Sequence, residues 1–105
     1  MSKSLVGTRT LENLMKAFAG ECQARSRYTY YSSVARKQNY IQIANIFMEA
    51  AENEKEHAKK FMTLALEYTP GENPRMVDIT ASYPLAYDKG STLANLKVSA
   101  DGEHE

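Results

Sequence analysis

The 105-residue chain has one cysteine, no tryptophan, three prolines and no net charge. With Cys22 alone, an internal disulfide and a cysteine-built metal knuckle are both excluded. Thirteen Lys and Arg stand against thirteen Asp and Glu, which leaves no bulk charge to hold nucleic acid or an anionic membrane. No apolar run approaches the ~18 residues that a membrane span needs. Met1 to Arg9 lacks the apolar stretch of a signal peptide. These absences predict a reduced, cytoplasmic chain of one domain whose partners are neither nucleic acid nor membrane. Seven tyrosines without a tryptophan is an unusual aromatic balance, but composition attaches no function to it.

Proline is also missing from the first two-thirds of the chain, where glycine is nearly so. From Thr8 or Thr10, either of which can cap a helix, to about Gln38 the only breaker is Gly20. Glu12 stands in the first turn, where the helix dipole favours an acid. The spacing predicts a helix over about 10–38, about 42 Å long at ~1.5 Å per residue. Gly20 costs helix stability, which points to close packing there. Lys37-Gln38-Asn39-Tyr40 makes a short polar turn, so a second helix over about 41–68 lies antiparallel to the first. Thr69-Pro70-Gly71-Glu72-Asn73-Pro74 stops it. Residues 69–90 read as a long crossing connection without period. Ser91 or Thr92 can cap a third helix over about 92–105, which carries no stop signal and reads as the start of a longer element. The fold class is all-α.

Each long helix has an apolar stripe with the same irregularity. Ile43, Phe47, Ala50, Glu54, His57, Phe61, Leu64 and Tyr68 step by three and four, which keeps them on one face. That face should point into a core, yet it carries a carboxylate and an imidazole three residues apart. Leu14, Ala17, Phe18, Glu21, Ala24, Tyr28, Tyr31 and Ala35 form the matching stripe, with one carboxylate at its centre. Inward-facing ionisable groups are costly unless paired or bound to a metal. Two core-facing helices that each bring an acid are how four-helix bundles build a two-metal carboxylate site. By contrast, Glu49, Glu52, Lys55, Glu56, Lys59 and Lys60 fall off the stripe and suit a solvated face. Oxygen and nitrogen ligands without sulfur favour iron or manganese over structural zinc. Tyr28, two turns after Glu21, either packs in the core or hydrogen-bonds a ligand carboxylate. Cys22 reads as a small buried hydrophobe rather than a nucleophile. Glu103, 11 residues after Thr92, reaches several turns into the third helix and to the depth of the other acids. His104 and Glu105 fall on other faces.

The segments Ala17-Phe18-Ala19-Gly20-Glu21-Cys22-Gln23-Ala24-Arg25, Arg27-Tyr28, Asn53-Glu54-Lys55-Glu56-His57-Ala58-Lys59, Ala94-Asn95-Leu96 and Gly102-Glu103 resemble rubrerythrin. The resemblance runs from Leu5 to Glu105 and is weakest between Tyr68 and Gly90. It implies a ferritin-like four-helix bundle with a non-haem di-iron site that reduces hydrogen peroxide to water, using electrons from a rubredoxin-like donor. It places metal ligands at Glu21, Glu54, His57 and Glu103, and a tyrosine beside the site at Tyr28. The implied cofactor is two non-haem iron ions, with manganese or zinc as substitutes. The family's next glutamate would fall at position 106, and its second Glu-x-x-His and its four-cysteine iron centre have no counterpart in this sequence. The expectation is therefore half a bundle: two long antiparallel helices and the start of a third. A homodimer, helix exchange between copies or the remaining C-terminal part of the polypeptide would complete it. The leading function is a di-iron peroxidase of oxidative-stress defence. An iron-oxidising storage protein and a metal-free helical interaction module are the alternatives.

Overall fold

Thr8 starts the first helix by taking an extended backbone (φ −98°, ψ 157°) and accepting the Leu11 N–H on its hydroxyl at 3.2 Å. The computed structural model, which describes residues 4–71 and 73–102, gives this helix, α1, as Arg9–Lys37. It ends at Asn39, which takes φ 68°. Around that left-handed residue the Tyr40 N–H reaches the Ala35 carbonyl at 2.8 Å and the Asn39 N–H reaches that of Arg36 at 3.0 Å. Such paired reverse bonds satisfy the last carbonyls of a helix, and asparagine tolerates the conformation better than most residues. The chain then reverses into α2, Ile41–Glu67. A third helix, α3, spans Thr92–Gly102, with the Ser91 hydroxyl accepting the Ala94 N–H at 3.1 Å. No strand occurs among the described residues, and none of their helices is long and apolar enough to cross a membrane.

The two long helices form an antiparallel hairpin. Near the turn the Ser32 hydroxyl donates to the Ala44 carbonyl at 2.8 Å. At the far end Leu11 and Ala65 line one cavity. The α2 side of the seam is Ala44, Ala51, Ala58 and Ala65, each 0–6% exposed. Seven residues are almost two turns, so the four methyl groups form a line along the helix and let α1 approach closely. Ala24, Tyr31, Ser32, Val34 and Ala35 are the buried residues of α1 around this contact.

The hairpin by itself covers only part of the Ile43-to-Tyr68 stripe. Phe47 alone of that stripe is buried; Ile43, Ala50, Glu54, Phe61 and Tyr68 are half-buried, and His57 and Leu64 are exposed. The alanine line lies at the centre of the contact with α1, and the stripe flanks it, with Phe47 against Tyr28 and Tyr31 and its other members toward the side of the hairpin. Gly20 is also less constrained than its helix position suggests. An added Cβ would stand 3.7 Å from a Tyr83 ring carbon, an ordinary contact that does not demand glycine.

The connection between α2 and α3 runs back along α1 and is pinned at intervals. The Tyr83 hydroxyl donates to the Lys16 carbonyl at 3.3 Å. The fully buried Tyr31 donates its hydroxyl to the Ala86 carbonyl. At the end of α1, Gln38 donates to the Gly90 carbonyl at 2.6 Å and accepts the Thr92 N–H at 2.8 Å and its hydroxyl at 2.5 Å. Asn95, 1% exposed, exchanges two 2.9 Å bonds with the backbone of Asp88. These bonds set the direction in which α3 leaves.

Replacing Ala51 by Leu should destabilise the hairpin by about 1–3 kcal/mol, the usual cost of forcing extra methylenes into a close-packed contact. The exposed Glu52→Leu serves as the control and should shift the urea midpoint far less. Equal midpoints for the two variants by circular dichroism would contradict the alanine seam.

Candidate metal centre

Glu21 comes from the middle of α1, and Glu54 and His57 from the middle of α2 one turn apart. The antiparallel register sets them opposite one another, with one ligand atom of each lying within 4.8 Å of the other two. His57 Nδ1 stands 3.6 Å from Glu21 Oε2. That separation exceeds a hydrogen bond. It lies just beyond the roughly 3–3.5 Å that separates two donors each ~2.1 Å from a shared ion, so a small side-chain adjustment would let both groups bind one. Glu21 Oε2 is shut off from solvent and has no hydrogen-bond partner among the described residues. A buried carboxylate oxygen left without a partner is unfavourable, and a divalent cation is the compensation that this donor set suits.

The three groups differ in exposure for a structural reason. The Glu21 side chain is 23% exposed and that of His57 51%. His57 lies on the part of the α2 stripe turned away from the alanine seam, so α1 covers only one side of it. Glu21 and His57 open on that side together with Lys60, Phe61 and Leu64, around a space of about 370 Å³. Glu54 opens on the other side, into a cleft of about 540 Å³ between α1, the connection and α3.

Tyr28 lines the same cleft as Glu54. Of its two expected roles the structure shows packing. Its ring stacks on Phe47 at 6.2 Å and 25°, and no hydrogen bond joins its hydroxyl to Glu21 or Glu54 among the described residues. Glu103 lies outside the described residues. Glu52 and Lys55 form an exposed 2.8 Å pair on the solvated face. The Lys55 hydrogen bond and charge hold the Glu52 carboxyl below its ordinary range. Cys22 is half-buried next to Glu21.

Sequence reasoning passed over two groups at this cleft. Arg27 stands over the Tyr28 ring with its central carbon 5.6 Å from the centroid, bonds Gln23 at 2.7 Å and reaches the Tyr31 hydroxyl at 3.4 Å. The spacing of Gln23, Arg27 and Tyr31, four residues each, is the helical signal that could have revealed it. Ser82, Tyr83 and Pro84 form another wall. They reach the cleft through the aperiodic connection, where no spacing rule applies.

The sequence model of the family described as Rubrerythrin matches residues 12–105. A rubrerythrin of Clostridium perfringens is 59% identical over 103 residues, covering 98% of this chain and 51% of that protein. A rubrerythrin of Porphyromonas gingivalis is 50% identical over 105 residues, covering 100% and 48%. A nigerythrin of Nitratidesulfovibrio vulgaris is 42% identical over 103 residues, covering 97% and 46%. The chain thus spans about half the length of the curated relatives it matches.

The unbonded Glu21 oxygen makes a prediction with opposite signs in two states. Glu21→Gln keeps the shape and removes the charge, so the metal-free variant should melt no lower than the parent. Saturating ferrous iron should then raise the parent's midpoint and leave the variant's unchanged; a ligand at 100 times its Kd contributes about 2.7 kcal/mol. A variant that loses stability without metal and gains as much from iron as the parent would show that the carboxylate is structural.

Proposed function

The chain belongs to the rubrerythrin family, and on that premise we propose that it supplies part of a di-iron centre that reduces hydrogen peroxide to water. The observation that carries this reading is the shielded, unbonded Glu21 Oε2 facing His57 Nδ1 across 3.6 Å. The two groups stand wider apart than a hydrogen bond, and an ion between them would satisfy both.

Glu21 and Glu54 supply oxygen ligands from facing helices. His57 offers Nδ1 as a neutral nitrogen ligand, and Glu103 is the fourth protein ligand. When bound, a pair of ferrous ions supplies two electrons and open positions for peroxide. Glu54 faces the cleft through which peroxide enters. Ser82, Ser99 and Asp101 give the cleft a polar wall, suited to passing the two protons that the reaction consumes. Arg27 and Phe47 hold the Tyr28 ring in place beside the ligands, and further helices laid on the apolar stripe would keep bulk water from the far side. The rest of the bundle comes from a second copy, exchanged helices or the remaining part of the polypeptide. A rubredoxin-like protein returns the electrons.

Two outcomes test this reading. The iron-loaded, reduced protein should be oxidised by hydrogen peroxide far faster than by dioxygen in stopped flow. His57→Ala should lose both iron and turnover while keeping its helical content. Preference for dioxygen with iron mineral building up would favour storage instead. Assembly is the second test. His57 and Leu64 lie exposed on the open side of the hairpin, and four protein ligands are too few for a two-metal carboxylate cage. The iron-loaded species should therefore sediment above the 11.8 kDa of one chain. A monomer of that mass carrying two irons would refute the shared centre.

A further inference from the structure

Four of the seven tyrosines form a file that begins beside the metal centre and ends at the surface. Tyr28, on the cleft it shares with Glu54, has its ring centroid 6.2 Å from that of Tyr31. Tyr31 is fully buried, and its ring lies 6.3 Å from that of Tyr87. Tyr87 lies 5.5 Å from Tyr30. These last two are 46% and 49% exposed. Each step is an ordinary aromatic contact, and none needs a side chain to move. For the loss of a single electron, phenols are, with the one thiol, the most readily oxidised side chains of a chain without tryptophan. Packing alone would be served as well by phenylalanine, and only Tyr31 of the four is held by a hydrogen bond from its hydroxyl among the described residues.

We propose that this file is an electron route that delivers a single electron from the surface tyrosines Tyr30 and Tyr87 to the metal centre when it holds one ferrous ion instead of two. The proposal rests on the di-iron reading above. Cleaving peroxide to two waters takes two electrons, and a single ferrous ion gives one. The second comes from a phenol: one ferrous ion, one tyrosine, one hydrogen peroxide and one proton give one ferric ion, one tyrosyl radical and two waters. The electron is passed inward from ring to ring, so the electron deficit settles on Tyr30 or Tyr87. There the phenolic proton goes to bulk water, and a small soluble reductant can restore the ring. At Tyr31 the hydroxyl is tied to the Ala86 carbonyl, a weak base, and the Arg27 guanidinium stands 3.4 Å away. Both features disfavour a lasting radical at Tyr31 and make it a relay. The half-oxidised reaction is thereby moved away from Glu21, Glu54 and His57.

The test is to load the assembled protein with one ferrous ion per site, add one equivalent of hydrogen peroxide, and map tyrosine oxidation and dityrosine by mass spectrometry. Tyr40, 52% exposed and outside the file, reports on any diffusing oxidant. Tyr30 and Tyr87 should be oxidised several-fold more than Tyr40, and loading two ferrous ions per site should suppress the difference. Tyr87→Phe, at an exposed ring, should protect the unaltered Tyr30. Tyr31→Phe should protect both ends and shift damage to Tyr28. Oxidation of Tyr30 that follows Tyr40, or that is unchanged in both variants, in protein that binds iron and consumes peroxide would overturn the route alone. A protein that takes up no iron would overturn the di-iron reading, and the route with it.

Discussion

Close contact of α2 with α1 along Ala44, Ala51, Ala58 and Ala65 sets both the separation and the rotation of the helix pair, and the placement of the candidate metal-binding groups depends on it. A methyl group every seventh residue leaves room for one orientation of α2 about its axis. In that orientation Glu54 lies at the edge of the seam and His57 a further turn to the side. Both are then within reach of Glu21, but neither is enclosed.

The same rotation explains the energetics of the centre. Glu21 carries a carboxylate oxygen out of solvent without a compensating bond, and His57 approaches without closing. The helix pair holds a cost that a cation would remove, so metal binding and the stability of the hairpin are linked. The half-exposed stripe of Phe61, Leu64 and Tyr68 has the same logic. Its apolar groups are only partly covered by α1.

The connection contributes more than length. Hydrogen bonds from Tyr31, Gln38, Tyr83 and Asn95 hold it against α1 and α3, which shapes the cleft beside Glu54. They also bring Tyr87 between Tyr30 and Tyr31. Tyrosines from adjacent turns of α1 and one from a distant loop thus become a continuous file.

Much of this was legible in the residues themselves. Breaker-free runs, the Thr8 cap and the Asn39 turn are local signals, and they marked two long antiparallel helices because helix propensity and capping act over a few neighbours. Step counting also put Glu21, Glu54 and His57 on helix faces that could meet, since a three-four pattern is a property of the chain alone. It did not reveal which face α2 would turn to α1. The apolar stripe and the alanine line are both periodic, and only the fit of one helix surface on the other chose the alanines as the seam. Arg27 over Tyr28, the cleft walls from Ser82 to Pro84 and the approach of Tyr87 depended on the aperiodic connection. There no repeat constrains position, and tertiary hydrogen bonds alone decide where each side chain comes to rest.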